Sequence, residues 1–360
     1  MKHDILKSDE RAIFALRELY SSFGYLPYKM SRFEEYDLYV RNKDFLVSPE
    51  VITFADRNGR LLALKPDVTL SIIKNTVDRP GTVQKLYYNE SVYRVDKGTN
   101  TFRESMQAGL ECVGDLSFYE IAEVVLLAVK SLALLGGRFV LDLSHMGLIG
   151  AALEESGLNA EAQQEALGFL RQKNVHELTQ LCTEQGISEA QTRKLQCLAD
   201  CRGGAQVLAE VEKLLTSQRE RQALSELRSL CDILKPYGDT VRVDFSVGND
   251  MKYYSGVVFQ GYLEGIPVSI LSGGQYDKLL RKMGRSSSAI GFCVYVDLLE
   301  KAGNAGDVDT ILLHNGTADP AKLVAAAEEA AKSGTVLVTT QLPTDRSWRN
   351  IIRFEEGKQC

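Results

Sequence analysis

The sequence predicts an α+β fold: an antiparallel sheet flanked by helices, with a helical insertion and a small C-terminal α/β appendage. Three stretches predict it. Lys85–Gly114 alternates through Leu86, Tyr88, Phe102, Met106, Ala108 and Leu110, and breaks at the polar segment Asp96–Asn100, so it reads as one long antiparallel hairpin. From about Met146 to Lys235 the chain is rich in Ala, Leu, Glu and Gln at helical spacing, interrupted at Gly157, Gly186 and Gly203–Gly204. The tail from Val308 runs strand, helix, strand.

Taken in order, Glu10–Phe23 carries Ile13, Leu16, Leu19, Tyr20 and Phe23 on one helical face, with Ser8 as a candidate cap and Gly24 as the stop. GYLPYKMSRFEEYDLY leads into a strand and a polar segment. Val51–Phe54 and Leu61–Leu64 flank the turn Asp56–Gly59, a hairpin signal. Lys65–Pro66–Asp67 ends that strand and a helix starts near Thr69, for which Asp67 is by default the N-cap. After the central hairpin, Phe118–Leu135 is an apolar helix closed by Gly136–Gly137, and Phe139–Leu143 is a strand. Val241–Ser246, Val257–Phe259, Val268–Leu271 and Ala289–Val294 supply further strands. Gly273–Gly274 reads as a sharp turn at a sheet end. Residues 302–307 read as a linker. The expected domains are a core of residues 1–145 and 236–303, a helical insertion at 146–235 and an appendage at 304–360.

Bulk composition narrows the function. The 360 residues carry a formal net charge of −6, which argues against a broad nucleic-acid surface. No apolar run is long enough to span a bilayer, and the charged start MKHDILKSDERA is not a signal peptide. The seven cysteines are scattered, without a CxxC pair, as expected of reduced thiols in a cytoplasmic protein. His3, His145, His176 and His314 form no metal-ligand pattern. There is no phosphate-binding glycine loop of the GxxxxGK[ST] or GxGxxG kind. No metal and no cofactor is called for, and no catalytic set can be argued.

One strand face stands out. Gln107, Gly109 and Glu111 share a parity and so face one side of the sheet. A glutamine and a glutamate with a glycine between them, leaving room, suit a small cationic or amide-bearing guest. The plain alternative is a half-solvated sheet face.

In order along the chain, GYLPYKMSRFEE, LKPDVT, YRVD with FRESMQAGLE, KYYSGVVFQGY, and GGQYDKLL with AIGF resemble the core of class II aminoacyl-tRNA synthetases, specifically the histidyl enzyme. The resemblance covers about Asp9 to Leu299. It implies that Asp67, Thr69 and Gln107 hold the ammonium of a bound amino acid. It also implies that Glu111, with Tyr253 or Tyr254, holds an imidazole. A carboxylate suits an imidazole N–H, and a phenol donates or accepts opposite it.

The departures bear on activity. The family's motif 1 proline falls on Ser31. Its histidine-loop arginine falls on Asn249 and its motif 3 arginine on Leu298. Losing one preorganised donor from such a site costs roughly 2.7–4 kcal/mol of transition-state stabilisation, so losing two predicts that adenylation is lost. Arg94 and Arg103 remain as a vestigial nucleotide site, and the tail is about half the size of an anticodon-binding domain.

A synthetase-like chain with its amino-acid pocket kept and its ATP cations gone is similar to the regulatory subunits of ATP phosphoribosyltransferase. That resemblance implies a non-catalytic chain with a homodimer core. It implies a hetero-octamer with a short catalytic subunit, and feedback sensing of histidine for the first step of histidine biosynthesis. Two alternatives stay open: a working histidyl-tRNA synthetase, or a histidine-sensing module for another partner.

Overall fold

The structure, a computed structural model, describes residues 7–42, 46, 51–95, 101–247, 253–302, 308–343 and 348–354. The expected turn at Asp96–Asn100, Asn249, and nearly all of the 302–307 linker lie outside the described residues. The chain divides into two compact units, Ala12–Asp297 and a smaller one built on the segment from Leu298.

The larger unit opens with α1 (Ser8–Ser22), which starts one turn before Arg11. Ser8 is therefore inside the helix rather than its cap, and the Lys7 N–H is met by Glu10 Oε2 at 2.9 Å. Short strands β1 (Leu26–Pro27) and β2 (Phe33–Glu35) follow, then α2 (Tyr36–Arg41), which strand-like spacing in that segment conceals. The expected hairpin is β3 (Thr53–Ala55) and β4 (Leu61–Leu64). Asp56 Oδ1 accepts from the N–H groups of Asn58 and Arg60 at 2.8 Å each, and Gly59 supplies the positive φ. Next come α3 (Thr69–Asn75) and the central hairpin β5 (Val83–Val95) and β6 (Phe102–Gly114).

Helix α4 (Phe118–Leu135) keeps its expected bounds because both ends are chemically marked. Ser117 and Glu120 form a reciprocal capping box, and Gly136 takes a positive φ. Then follow β7 (Phe139–His145), α5 (Met146–Glu154), α6 (Ala160–Gln172), α7 (Val175–Glu184) and α8 (Glu189–Asp200). A two-residue strand, β8 (Arg202–Gly203), interrupts the expected all-helical stretch and edges the sheet, before α9 (Leu208–Glu212) and α10 (Gln218–Leu234). The remaining elements of this unit are β9 (Val241–Asp244), β10 (Val257–Leu263), β11 (Leu271–Gln275), α11 (Asp277–Lys282) and β12 (Ser288–Tyr295).

The sheet order is β1-β5-β6-β12-β11-β10-β7-β9-β8, antiparallel from β5 to β7 and parallel for β1/β5 and β7/β9. Two sequence expectations change here. Val268–Leu271 precedes the strand, which runs Leu271–Gln275. Gly273 and Gly274 sit in the middle of the sheet, not at its end. A Cβ on Gly273 would lie 2.4 Å from Gly291 O and Phe292 Cβ. These glycines permit close packing across the sheet rather than a turn.

One face of the sheet is closed by α4. Val124, Val125, Leu127, Val129 and Leu132 are fully buried, and a Cβ on Gly261 would strike Leu132. Burying each such side chain contributes about 1.5–3 kcal/mol. Tyr20 joins this core, its ring 5.9 Å from Phe292 and its hydroxyl 3.1 Å from Ser131 Oγ. The opposite face, carrying Gln107 and Glu111, is left for the cavity described below.

The smaller unit begins in α12 (Asp297–Ala302) and continues as β13 (Val308–Leu313), α13 (Pro320–Ala331), β14 (Val336–Thr339) and β15 (Trp348–Arg353). Its three strands are parallel in the order β14-β13-β15. β15 was not expected from the sequence. Asp319 caps α13, with Pro320 at the first helical position.

Candidate functional site

A cavity of about 420 Å³ opens on the free sheet face between α3, β5, β6, β11 and β12. Its floor follows from strand register. Tyr88, Gly109, Cys293, Ser272 and Gln260 lie in one row, and Glu111, Gly291, Gly274 and Val258 in the next. Three of these are glycines, and each has a side chain lying flat over it. A Cβ on Gly291 would fall 1.8 Å from Glu111 Oε2. On Gly274 it would meet the Tyr254 ring, and on Gly109 the Tyr88 hydroxyl at 2.6 Å. The room above Gly109 therefore belongs to Tyr88 rather than to a guest.

Glu111 is the centre of the site. It is 2% exposed. Thr69 Oγ1 donates to its Oε1 at 2.8 Å, and the Tyr276 hydroxyl donates to its Oε2. Burial pushes its carboxyl up to about 8, against the opposing pull of the Tyr276 and Thr69 hydrogen bonds. Burial thus favours the protonated form of this carboxyl. A cationic or N–H-bearing ring beside it favours the ionised form.

Asp67 does two things at once. Its Oδ1 accepts from Leu70 N at 2.9 Å, which is the capping role expected by default. Its carboxyl also lines the cavity, and burial raises it against the lowering effects of the Leu70 N–H and the Arg94 charge. The far wall is aromatic. Tyr253 and Tyr254 meet edge to face with centroids 4.7 Å apart, and Tyr253 lies 5.7 Å from Tyr276. Such a wall suits a flat polar ring. No cluster of three or more His, Cys, Asp or Glu side chains fit to hold a metal occurs among the described residues.

Comparison with known proteins adds ancestry. The family model for histidyl-tRNA synthetase matches residues 4–299. A Geobacillus kaustophilus protein named ATP phosphoribosyltransferase regulatory subunit is 31% identical over 310 residues, spanning 84% of this chain and 78% of its own. A protein of the same name from Clostridium kluyveri is 28% identical over 358 residues, spanning 95% of this chain and 92% of its own.

This chain belongs to the ATP phosphoribosyltransferase regulatory subunit family.

A solved member of that family, described as an ATP phosphoribosyltransferase regulatory subunit/histidyl-tRNA synthetase from Bacillus halodurans, matches with a TM-score of 0.73. It is 26% identical and covers 97% of this chain and 96% of its own. The regulatory-subunit fold is thus the class II synthetase fold.

Within this family member, the cavity gathers Asp67, Thr69, Arg94, Gln107, Glu111, Tyr253 and Tyr254. Arg103 is not among its lining residues. Its NH2 group donates to Asp297 Oδ2 at 3.1 Å, and its side chain is half-exposed. Arg94 and Arg103 therefore do not sit together as one nucleotide site. Thr69 is committed to Glu111 through its hydroxyl. Sequence reasoning missed Tyr276. It follows the two glycines of GGQYDKLL on β11, a strand separated from that of Glu111 by β12, and nothing in its spacing signals the contact.

Proposed function

We propose that the chain is the non-catalytic regulatory subunit of an ATP phosphoribosyltransferase. It assembles with a short catalytic subunit, supports that subunit's activity, and binds histidine in the cavity as the feedback signal. The observation that carries this reading is the braced, buried Glu111 carboxyl. It is a ready partner for one imidazole nitrogen, with Tyr253, Tyr254 and Tyr276 stacked around the space beside it.

Asp67 and Gln107 take the ligand's ammonium end in this reading. A site that satisfies a buried polar partner rejects analogues lacking the matching group by large factors. Regulation is then a linkage: histidine binds more tightly to a less active arrangement of the complex. A coupling of roughly 1–3 kcal/mol is enough for a useful response. The absence of arginine at Asn249 and Leu298 supports a chain without adenylation chemistry.

The test is to mix the purified chain with a short catalytic subunit and measure phosphoribosyl transfer with and without histidine. Stimulation by the chain, reversed by histidine, is expected. Calorimetry showing no histidine binding to the complex would remove the sensing role. Histidine-dependent exchange of pyrophosphate into ATP would instead favour a synthetase, a reading that Arg94 in the cavity keeps worth testing.

A further inference from the structure

Among the described residues, none between 146 and 235 lines the cavity. Yet α5, the first helix of that stretch, starts against the segment that carries the aromatic wall. Tyr253 and Tyr254 lead through Ser255 and Gly256 into β10, and neighbours on two sides hold that segment. On the β11 side, Ser255 N donates to Gln275 O at 2.9 Å, and Val257 N donates to Gln275 Oε1 at 2.8 Å. On the other side, Met146 N donates to Gly256 O at 2.8 Å. Met146 is the first residue of α5, so this bond adds one rung to the β7–β10 ladder where the strand turns into a helix.

His145 sets that turning point. It is 4% exposed, and its Nδ1 accepts from Leu148 N at 3.3 Å as the N-cap of α5. An Nδ1 that accepts leaves the ring proton on Nε2. That N–H meets Glu226 Oε2 on α10 at 3.2 Å, and the bond holds the Glu226 carboxyl below the usual carboxylate range against burial. The ring lies flat against bare backbone: a Cβ on Gly147 would fall 2.9 Å from its Cε1. Asn, Asp, Ser or Thr caps a helix start at least as well, but none of these is long enough to reach α10 as the imidazole does. Capping alone therefore leaves the imidazole unexplained.

Resting on the histidine reading, we propose that His145 is a positioning residue for the cavity. It fixes the start of α5, from which Met146 holds Gly256 and so the Tyr253–Tyr254 wall, and it ties that wall to α10 through Glu226. The stretch from α5 to α10 thereby shapes ligand binding without touching the ligand. The placement of α10 and the affinity for the ligand are then linked through one hydrogen-bonded side chain.

The experiment uses the full chain in complex with a short catalytic subunit, with L-histidine as the probe. Calorimetry reads affinity, and hydrogen exchange reads the Met146 amide. In the parent, histidine is expected to slow exchange of that amide by about tenfold or more. His145→Ala is expected to weaken histidine by about tenfold, and His145→Asn, whose Oδ1 can replace Nδ1 as the cap, to recover part of that loss. Glu226→Ala is expected to weaken histidine by roughly threefold to tenfold, and Glu226→Gln, whose amide oxygen accepts the same N–H, to restore it. A purely structural His145 lowers the melting temperature of these variants and leaves affinity and the Met146 response as in the parent, which overturns the assignment. A Glu226→Ala loss that Glu226→Gln does not restore overturns it as well. A parent that binds no histidine removes the histidine reading and this assignment with it, whereas a parent that binds, with variants that bind equally, removes the positioning role alone.

Discussion

Thr69 Oγ1 donates to Glu111 Oε1 at 2.8 Å, joining the first residue of α3 to the C-terminal part of β6. The Tyr276 hydroxyl meets the other carboxyl oxygen from the far side. Among the described residues the carboxyl is held by two hydroxyl donors and pairs with no cation, so burial dominates its ionisation.

Glu111 should therefore depress stability as pH rises. Its folded value of about 8 exceeds the unfolded value near 4.5, so the folded chain binds the extra proton between them. Stability from this group is full below about pH 4.5 and is lost as pH climbs to about 8, at roughly 1.4 kcal/mol per unit. Glu111→Gln is expected to flatten that limb, matching the parent near pH 4 and exceeding it at pH 8 in urea melts. Glu111→Ala is expected to weaken histidine binding by about 2–5 kcal/mol.

Tyr276→Phe removes a donor that favours the ionised Glu111. The Glu111 carboxyl is expected to titrate above its present value of about 8, followed by carbon NMR on labelled glutamate. An unchanged titration would show that the phenol is only packing.

Gly291 and Gly168 should respond in opposite directions to alanine. A Cβ at Gly291 lands 1.8 Å from Glu111 Oε2 and 2.5 Å from Leu110 O, and that backbone carbonyl has little freedom to shift. Gly291→Ala is expected to destabilise by about 1–3 kcal/mol and to abolish histidine binding. Gly168, inside α6, has nothing within 4 Å of a Cβ, so Gly168→Ala is expected to stabilise by about 0.5–1 kcal/mol with binding intact. Thermal melts and calorimetry check both.

Lys194 and Glu220 pair at 2.6 Å, with side-chain exposures of 2% and 0%. Glu220 also accepts from the backbone N–H groups of Thr216 and Ser217. Lys194→Met strands a buried carboxylate and is expected to cost about 3–5 kcal/mol, while adding Glu220→Leu recovers much of it. A double-mutant cycle in urea reads the coupling directly.

Where the sequence was legible, local chemistry was unambiguous. α4 begins and ends as expected because Ser117, Glu120 and Gly136 mark its ends within a few residues. The β3–β4 hairpin is equally local, held by Asp56 and Gly59. α2 and β15 escaped notice because a six-residue element offers few periods to count. Gly273 and Gly274 were read as a turn because a glycine pair looks the same in sequence whether it frees the backbone or admits a neighbour. Tyr276 was missed for a related reason: it meets Glu111 across 165 residues of chain.

By itself, the amino-acid sequence determined the α+β class, the long hairpin and the strand face carrying Gln107 and Glu111. Each depends on the alternation or spacing of neighbouring residues. Only the tertiary structure decided which polar groups meet. It brought Thr69 and Tyr276 onto Glu111, drew Arg94 into the cavity, and left Arg103 with Asp297. Those outcomes depend on sheet order and on where glycines let side chains lie flat, and neither is encoded within any single stretch of chain.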